Sequence, residues 1–228
     1  MNFKQFVKEL NGNRVEGELI KTILYSLLTS FGVLAFYYFA GLNRIDNLIG
    51  KYGFFLFFSV LSYALIIPSV RQVRAYKYFG CMSGMMIGMT TGMIAGILSG
   101  YFVGATNGMF YGGVFGMAVG ISFGVYNGKC CGVMGFMEGI MAGFMGGLMG
   151  AMTAIMMYND NLKLGGIVVF LISGVIMLGL NYMIYSETYE KEREYSENQI
   201  STIFLSFILT TATAWIMLFG PRSVLFGG

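Results

Sequence analysis

Residues 80–132 read GCMSGMMIGMTTGMIAGILSGYFVGATNGMFYGGVFGMAVGISFGVYNGKCCG, with a glycine at every fourth position from Gly80 to Gly132. A second row follows after a shift of one residue and comprises Gly135, Gly139, Gly143 and Gly147. In a soluble helix each interior glycine costs about 1 kcal/mol relative to alanine, so these rows would strongly destabilise it. In a bilayer the backbone must bond within the chain, and small residues four apart let helices approach closely. The spacing therefore predicts closely packed transmembrane helices.

The composition indicates the same environment. The chain has 228 residues, of which 56% are hydrophobic and 11% charged, against about 25% charged residues in an ordinary soluble domain. We therefore expect an all-α polytopic membrane protein whose main partner is the lipid bilayer. The net charge of +3 is small, and the basic residues lie at the ends of the apolar stretches, which argues against nucleic-acid binding. The chain has no histidine, and no nucleophile and base can be paired at membrane depth, so we do not expect an enzyme.

Seven spans are predicted, at residues 19–40, 53–70, 79–104, 108–126, 131–157, 164–185 and 200–219. The glycine row from Gly80 to Gly132 cannot be one helix, because it would be about 80 Å long, more than twice the hydrocarbon thickness of about 30 Å. Turns are expected at 104–108 and 126–130, where the dipeptide Asn-Gly occurs, a strong turn signal.

The spans suggest four segments. Residues 1–18 form a cytoplasmic segment, either an amphipathic helix on the membrane surface or a plain polar tail. Residues 19–78 form a hairpin of two spans, and residues 79–157 form a three-span core rich in glycine and methionine. Residues 158–228 form a second two-span hairpin. Its first helix extends into the cytoplasm through the charged run 187–195, which is either a solvated surface or a docking site.

Lysine and arginine predict the orientation in the cell membrane. With the N-terminus in the cytoplasm, ten basic residues fall on the cytoplasmic side and four on the other side. Cytoplasmic loops carry an excess of basic residues. We therefore expect the N-terminus inside and the C-terminus outside.

Glycine and methionine occupy opposite faces of the central helices. At about 100° per residue, the candidate packing glycines share one side of each span; they are Gly84, Gly88, Gly92, Gly96, Gly116, Gly120, Gly139, Gly143 and Gly147. The opposite sides of the third and fifth spans carry most of the nineteen methionines, notably Met82, Met85, Met86, Met89, Met134, Met137, Met141, Met145 and Met149. Glu138 falls inside the methionine stripe and is the only carboxylate within these three spans. Intramembrane ionisable residues usually face a partner, a cavity or a pathway, so Glu138 is a candidate pathway carboxylate.

The three cysteines lie at one end of the same spans. Cys81 opens the third span, while Cys130 and Cys131 lie in the turn before the fifth, so all three face the cytoplasm in the predicted orientation. A reducing cytoplasm keeps thiols free, and thiolate and thioether ligands select Cu(I) over harder ions. A relay of Cu(I) from methionines to cysteines is therefore one interpretation. The alternative is that methionine fills gaps between glycine-rich helices and cysteine packs in the core or carries an acyl chain.

In pairing Met-x-x-x-Met with Gly-x-x-x-Gly, the chain resembles the eukaryotic high-affinity copper transporters. The matching pairs are Met82 with Met86, Met85 with Met89, Met137 with Met141, and Met141 with Met145. That family has three spans with the two motifs in separate spans, whereas here about seven spans interleave them. The resemblance implies Cu(I) as the ion.

Three functions are therefore open. The first is transport or handling of a soft metal ion such as Cu(I). The second is a non-catalytic structural or assembly subunit, whose glycine faces bind a second copy or another membrane subunit. The third is a channel or carrier for another small solute, with Glu138 as its charged element.

Overall fold

The computed structural model describes residues 15–40, 48–76, 79–129, 132–188 and 199–221. In these ranges the chain forms helices and no strands: α1 (Val15–Ala40), α2 (Leu48–Arg74), α3 (Cys81–Asn107), α4 (Met109–Gly128), α5 (Gly132–Met156), α6 (Leu162–Thr188) and α7 (Gln199–Phe219). Each is long and apolar enough to cross a membrane. The chain is an all-α polytopic membrane protein, and the seven predicted spans are confirmed with their ends shifted by a few residues. The N-terminal segment up to residue 14 and most of the charged run, from residue 189, lie outside the described residues.

The helices alternate in direction between two ends of the bundle, which we name the Cys81 end and the Asn107 end after the first and last residues of α3. Contacts of Gly88 with Gly128 and of Gly112 with Gly104 make α3 and α4 antiparallel. Arg71 at the end of α2 meets the starts of α1 and α7. Helices α1, α3, α5 and α7 therefore run in one direction, and α2, α4 and α6 run in the opposite direction.

Helices α3, α4 and α5 each pack on the other two through glycine. A methyl carbon built on Gly116 would lie 2.7 Å from Cα of Gly100 and 2.9 Å from Cα of Gly147. Backbone therefore lies directly on backbone where the three helices meet. Eight of the candidate packing glycines lie at such contacts, and Gly84 is buried on α3; the eight are Gly88, Gly92, Gly96, Gly116, Gly120, Gly139, Gly143 and Gly147.

Larger side chains fill the space between this glycine core and the other helices. Ile66 on α2 and Ile87, Leu98 and Phe102 on α3 are fully buried and belong to one apolar cluster that also includes residues of α6 and α7. Helix α3 is thus packed on both sides, through glycine towards α4 and α5 and through large residues towards α2, α6 and α7.

The two helices of the C-terminal segment, residues 158–228, pack mainly on helices from earlier in the chain. Within the described residues α6 packs on α2 and α3, while α7 packs on α1, α2 and α3. Few contacts join α6 to α7, because both pack on α2. Neighbours in sequence are therefore not neighbours in space here.

Both central turns differ in detail from the sequence expectation. Helix α3 continues through residues 104–107, and Gly108 alone (φ 91°, ψ 173°) links it to α4. Helix α4 likewise continues through Asn127 and Gly128, since Gly128 packs on the backbone of Gly135. The Asn-Gly pair therefore lies within α4, where it contacts α5, and the turn comes after it.

Candidate functional site

The methionines of α5 point away from the glycine core. Met137, Met141, Met145 and Met149 are between 51% and 56% exposed, and Met134 is more exposed still. The same helix buries Gly135, Gly139, Ala142, Gly143, Gly146, Gly147 and Gly150. Glycine backbone, and not thioether side chains, therefore makes the contacts inside the three-helix core.

The methionines of α3 are most accessible near the Cys81 end. Met82, Met86 and Met89 are exposed, while Met85 is half-buried. Met93 continues the same side of the helix and is also half-buried. Beyond Met93 every residue of the helix except Ile97 is buried, and its methionine row covers only its first half.

Glycine contacts bring the two methionine rows to adjoining sides of one seam. A methyl carbon on Gly146 would lie 2.5 Å from the carbonyl oxygen of Met93 and 3.0 Å from its Cα. Helix α5 therefore packs on the side of α3 that carries Met93, and Met82, Met86 and Met89 share that side because they lie 11, 7 and 4 residues earlier. On α5, Met149 and Met145 lie about 60° and 100° round the helix from Gly146, away from α4.

The same contacts give the heights of these residues in the bundle. A methyl carbon on Gly92 would lie 3.2 Å from the carbonyl oxygen of Gly139, and one on Gly96 would lie 3.0 Å from that of Gly143, so Gly92 lies within about one turn of Gly139 along these two parallel helices. Met89 and Met93 flank Gly92 within one turn, and Glu138 directly precedes Gly139. We name the outward seam formed by Met86, Met89, Met93, Glu138 and Met145 the α3–α5 groove.

Glu138 is the charged member of the α3–α5 groove. Its side chain is half-buried, and about 80° of helix rotation separates it from Gly146, on the methionine side. No hydrogen bond or ion pair joins it to another residue in the described part of the chain. A carboxylate among neutral thioethers supplies negative charge to a cation that these sulfur atoms would bind.

The cysteine part of the predicted metal site is only partly described. Cys81 is an exposed free thiol at the start of α3. Cys130 and Cys131 fall outside the described residues. Their described neighbours Lys129 and Gly132 belong to the same end of the bundle as Cys81, since Gly88 packs on Gly128 and Gly128 packs on Gly135. Among described residues no group of three or more His, Cys, Asp or Glu side chains is placed to hold a metal ion.

A polar region around Arg71 was not predicted from the sequence. Arg71 was counted as a basic residue flanking a span, yet it lies in the last turn of α2 and is only 5% exposed. Its Nη1 donates to Oγ1 of Thr22, at 3.2 Å, and to Oε1 of Gln199. The recurrence of serine and threonine at four-residue intervals in α1 and α7 is the sequence signal that could have revealed this region.

Nearby, polar side chains also join α2 to α6. Ser69 donates to Oδ1 of Asn181 at 2.8 Å, and Nε2 of Gln72 donates to the backbone oxygen of the same residue at 3.3 Å. Hydrogen bonds between side chains of different helices hold a membrane bundle together, at about 0.6 kcal/mol each on average. The Cys81 end is therefore held by polar contacts, while the α3–α4–α5 core is held by close backbone packing.

The resemblance to copper transporters concerns short motifs in two helices. The described residues form seven helices, three of which share the glycine core, and in this the fold departs from a three-span pattern. What the chain does must therefore be argued from its own residues. No protein-family model, no curated protein and no solved structure matches this chain.

Proposed function

We propose that this membrane protein binds and transfers a soft metal ion, Cu(I) above all, along the methionines of the α3–α5 groove. The observation that carries the proposal is the position of these methionines. If they filled gaps in the glycine core they would be buried, whereas those of α5 are about half exposed on the opposite side. Thioether sulfur is a neutral soft ligand that prefers Cu(I) to harder ions.

A comparison within the chain supports a specific use of methionine. Helix α6 also has a long exposed face, and its large exposed residues are Leu164, Val168, Leu171, Ile172, Val175, Ile176 and Leu178. The large side chains of α6 that would contact lipid are thus all aliphatic. On α5 the corresponding exposed positions are mostly methionine, which contact with lipid does not require.

The ion would pass between weak sites and end on stronger ligands. Methionines recur along α5 from Met156 to Met134, at spacings of about one helical turn. Cysteine thiolate binds Cu(I) more strongly than thioether because it is charged. Transfer would therefore run towards Cys81, Cys130 and Cys131 at the Cys81 end, with Glu138 stabilising the cation beside the methionines.

The assembly alternative is less well supported by the contacts of the glycines. The glycine rows of α3, α4 and α5 pack on one another within the chain, so they are not free to bind another subunit. A partner subunit would have to dock on another face of the bundle. The alternative of a channel for another solute keeps Glu138 as its charged element and shares the same groove.

The test is the metal content of the purified protein after growth with copper under reducing conditions. We expect bound copper in the wild type and a loss of several-fold in the triple variant Met86→Leu, Met89→Leu, Met145→Leu. Leucine conserves volume, so folding should change little. The matched control is Met109→Leu, which replaces an exposed methionine of α4 outside the groove and should leave the copper content unchanged.

A second variant distinguishes copper bound by the cysteine thiols from copper bound by the methionine thioethers. Cys130→Ser with Cys131→Ser should retain the weak thioether sites and lose the tightest copper. Wild-type protein without metal would contradict the proposal, as would equal copper contents in the triple variant and the wild type.

A further inference from the structure

Helices α1 and α7 form a groove that opens towards the bilayer. Its lining includes four residues of α1 and two of α7, namely Thr29, Gly32, Phe36, Tyr37, Ile203 and Phe207. The glycine, the isoleucine and both phenylalanines are exposed, so the groove lies on the outside of the bundle. Its cavity volume is about 330 Å³. We name it the α1–α7 groove.

The α1–α7 groove extends through one leaflet of the bilayer. The apolar span of α1 is Leu19–Phe39, so Thr29 lies at its midpoint. Tyr37 lies eight residues further towards the Asn107 end, about 12 Å along the helix, which is close to half of the hydrocarbon thickness of about 30 Å. On α7, Ser206 is level with Thr29, because their hydroxyls share a hydrogen bond of 2.7 Å. The groove therefore begins near the bilayer midplane and reaches the membrane surface beside Tyr37.

Gly32 gives the groove its depth. Among described residues, a methyl carbon added to Gly32 would have nothing within 4 Å, whereas one added to Gly96 or Gly116 would meet backbone at 2.7 Å. Glycine in a helix interior is less stable than alanine, and here no helix contact in the described part of the chain uses the space that glycine leaves. That space is therefore open to a ligand from the bilayer.

The deep part of the groove suits a hydrocarbon. The hydroxyl of Thr29 lies 2.7 Å from Oγ of Ser206 and 2.9 Å from the carbonyl oxygen of Tyr25, so it is already bonded. The other described residues that line the groove at this depth present glycine or hydrocarbon side chains. A polar ligand would lose its hydration there without gaining hydrogen bonds, so an apolar ligand is favoured.

The width of the groove distinguishes between two apolar occupants. A volume of about 330 Å³ over a length of about 12 Å corresponds to a mean width of about 6 Å. A helix from a second copy of the chain is about 10–12 Å across with its side chains, so it would stay at the rim. An extended acyl chain is one carbon wide, with van der Waals contacts at about 4 Å, and can lie against Gly32.

We propose that the α1–α7 groove binds one acyl chain of a membrane phospholipid from the leaflet at the Asn107 end. The chain would lie beside Phe36 and Phe207 and cover Gly32. Its ester end would reach the level of Tyr37, and tyrosine is enriched at the membrane–water interface, where the headgroups lie. Helices α1 and α7 contribute nothing to the α3–α5 groove, so this site does not depend on the function proposed for that groove.

The experiment uses the full-length protein reconstituted with a phosphatidylcholine that carries a photoreactive diazirine in one acyl chain. Washing in mild detergent removes loosely bound lipid before irradiation, and mass spectrometry then locates the label. We expect the label on both α1 and α7 in the wild type. Gly32→Leu should fill the groove and lower the labelling of these two helices several-fold.

The matched control is Gly179→Leu on the exposed face of α6. As at Gly32, an added carbon there has nothing within 4 Å among described residues, so neither substitution should disturb folding. Gly179→Leu should therefore keep the wild-type labelling of α1 and α7. Equal labelling in Gly32→Leu and the wild type would overturn the proposal, and so would label spread evenly over α1, α6 and α7, which the surrounding bilayer alone would give.

Other occupants of the groove give different results. A photoreactive sterol should not label α1 and α7 after the same wash, and retention of the sterol in place of the phospholipid would contradict the proposal. Gly32→Cys, in a chain whose three native cysteines are replaced by serine, should not form a disulfide-linked dimer. Formation of that dimer would place a second copy at the groove and would exclude an acyl chain as its occupant.

Discussion

Single glycines decide how closely α3, α4 and α5 approach. At Gly116 the backbone of two other helices lies where a side chain would begin, at Gly100 and Gly147. Backbone atoms cannot rotate away as a flexible side chain can, so the helices would have to separate to admit a methyl group. The sequence predicts that these glycines face a packed side. It could not predict that Gly116 meets two partners, because that depends on the relative heights of three helices.

We expect Gly116→Ala to lower the free energy of unfolding by about 1–3 kcal/mol, the usual cost of overpacking a well-filled interior. Unfolding in detergent, followed by circular dichroism, measures the change. Gly179→Ala on α6 is the matched control, because nothing lies within 4 Å of its added carbon. That variant should be no less stable than the wild type, since alanine favours a helix by about 1 kcal/mol over glycine. Equal losses in the two variants would show that the close approach has no energetic role.

Whole helices were predicted more reliably than the turns between them. Hydrophobic length gives each span directly, and all seven helices lie where they were expected. Asn-Gly at 127–128 is a turn signal in most contexts. Here the contact of Gly128 with Gly135 outweighs that local preference and keeps the pair helical. A local rule fails where a tertiary contact uses the same residue.

The link between α3 and α4 depends on the backbone conformation of Gly108. Its φ of 91° with ψ of 173° lies in a region that is open essentially only to glycine, and other residues pay about 1–3 kcal/mol there. We therefore expect Gly108→Ala to destabilise the protein by about that amount in a detergent unfolding assay. Gly113→Ala, five residues later on α4, meets only side-chain atoms at 3.4 Å or more and should be nearly neutral. If both variants unfold like the wild type, the link does not constrain the two helices.

At the scale of the whole molecule, the sequence predicts membrane insertion, and the charge distribution predicts orientation. The packing order of the outer helices could not be predicted, because α2 and α6 carry no repeat comparable to the glycine rows and the serine and threonine repeats of α1 and α7 are short. Likewise the methionine stripe was visible from its period, but its position beside α3 required the contact of Gly146 with Met93. The hydrogen bonds of Arg71 to Thr22 and Gln199 were not predicted, since serine and threonine are common in membrane helices.

Orientation can be tested with thiol labelling in intact cells. In a variant with Cys130→Ser and Cys131→Ser, the exposed Cys81 should react with a membrane-impermeant maleimide only after permeabilisation. Adding Asn159→Cys with Cys81→Ser places a thiol in the exposed turn at the Asn107 end, and this one should react in intact cells. The reverse pattern would invert the predicted topology, and labelling of both thiols in intact cells would contradict the seven-span arrangement.

The glycine core also limits how this gene can change. Every single-base missense change in a glycine codon introduces a residue with at least one more carbon, so no smaller replacement exists at these positions. In the row from Gly88 to Gly128 most such changes would force helix backbones apart. Adjustments elsewhere in the chain cannot restore the lost space, because the clash is with main chain that every residue possesses. Random variation should therefore be removed at every fourth codon along this stretch, while the codons for the outward methionines are constrained only by the ligand or lipid that those side chains contact.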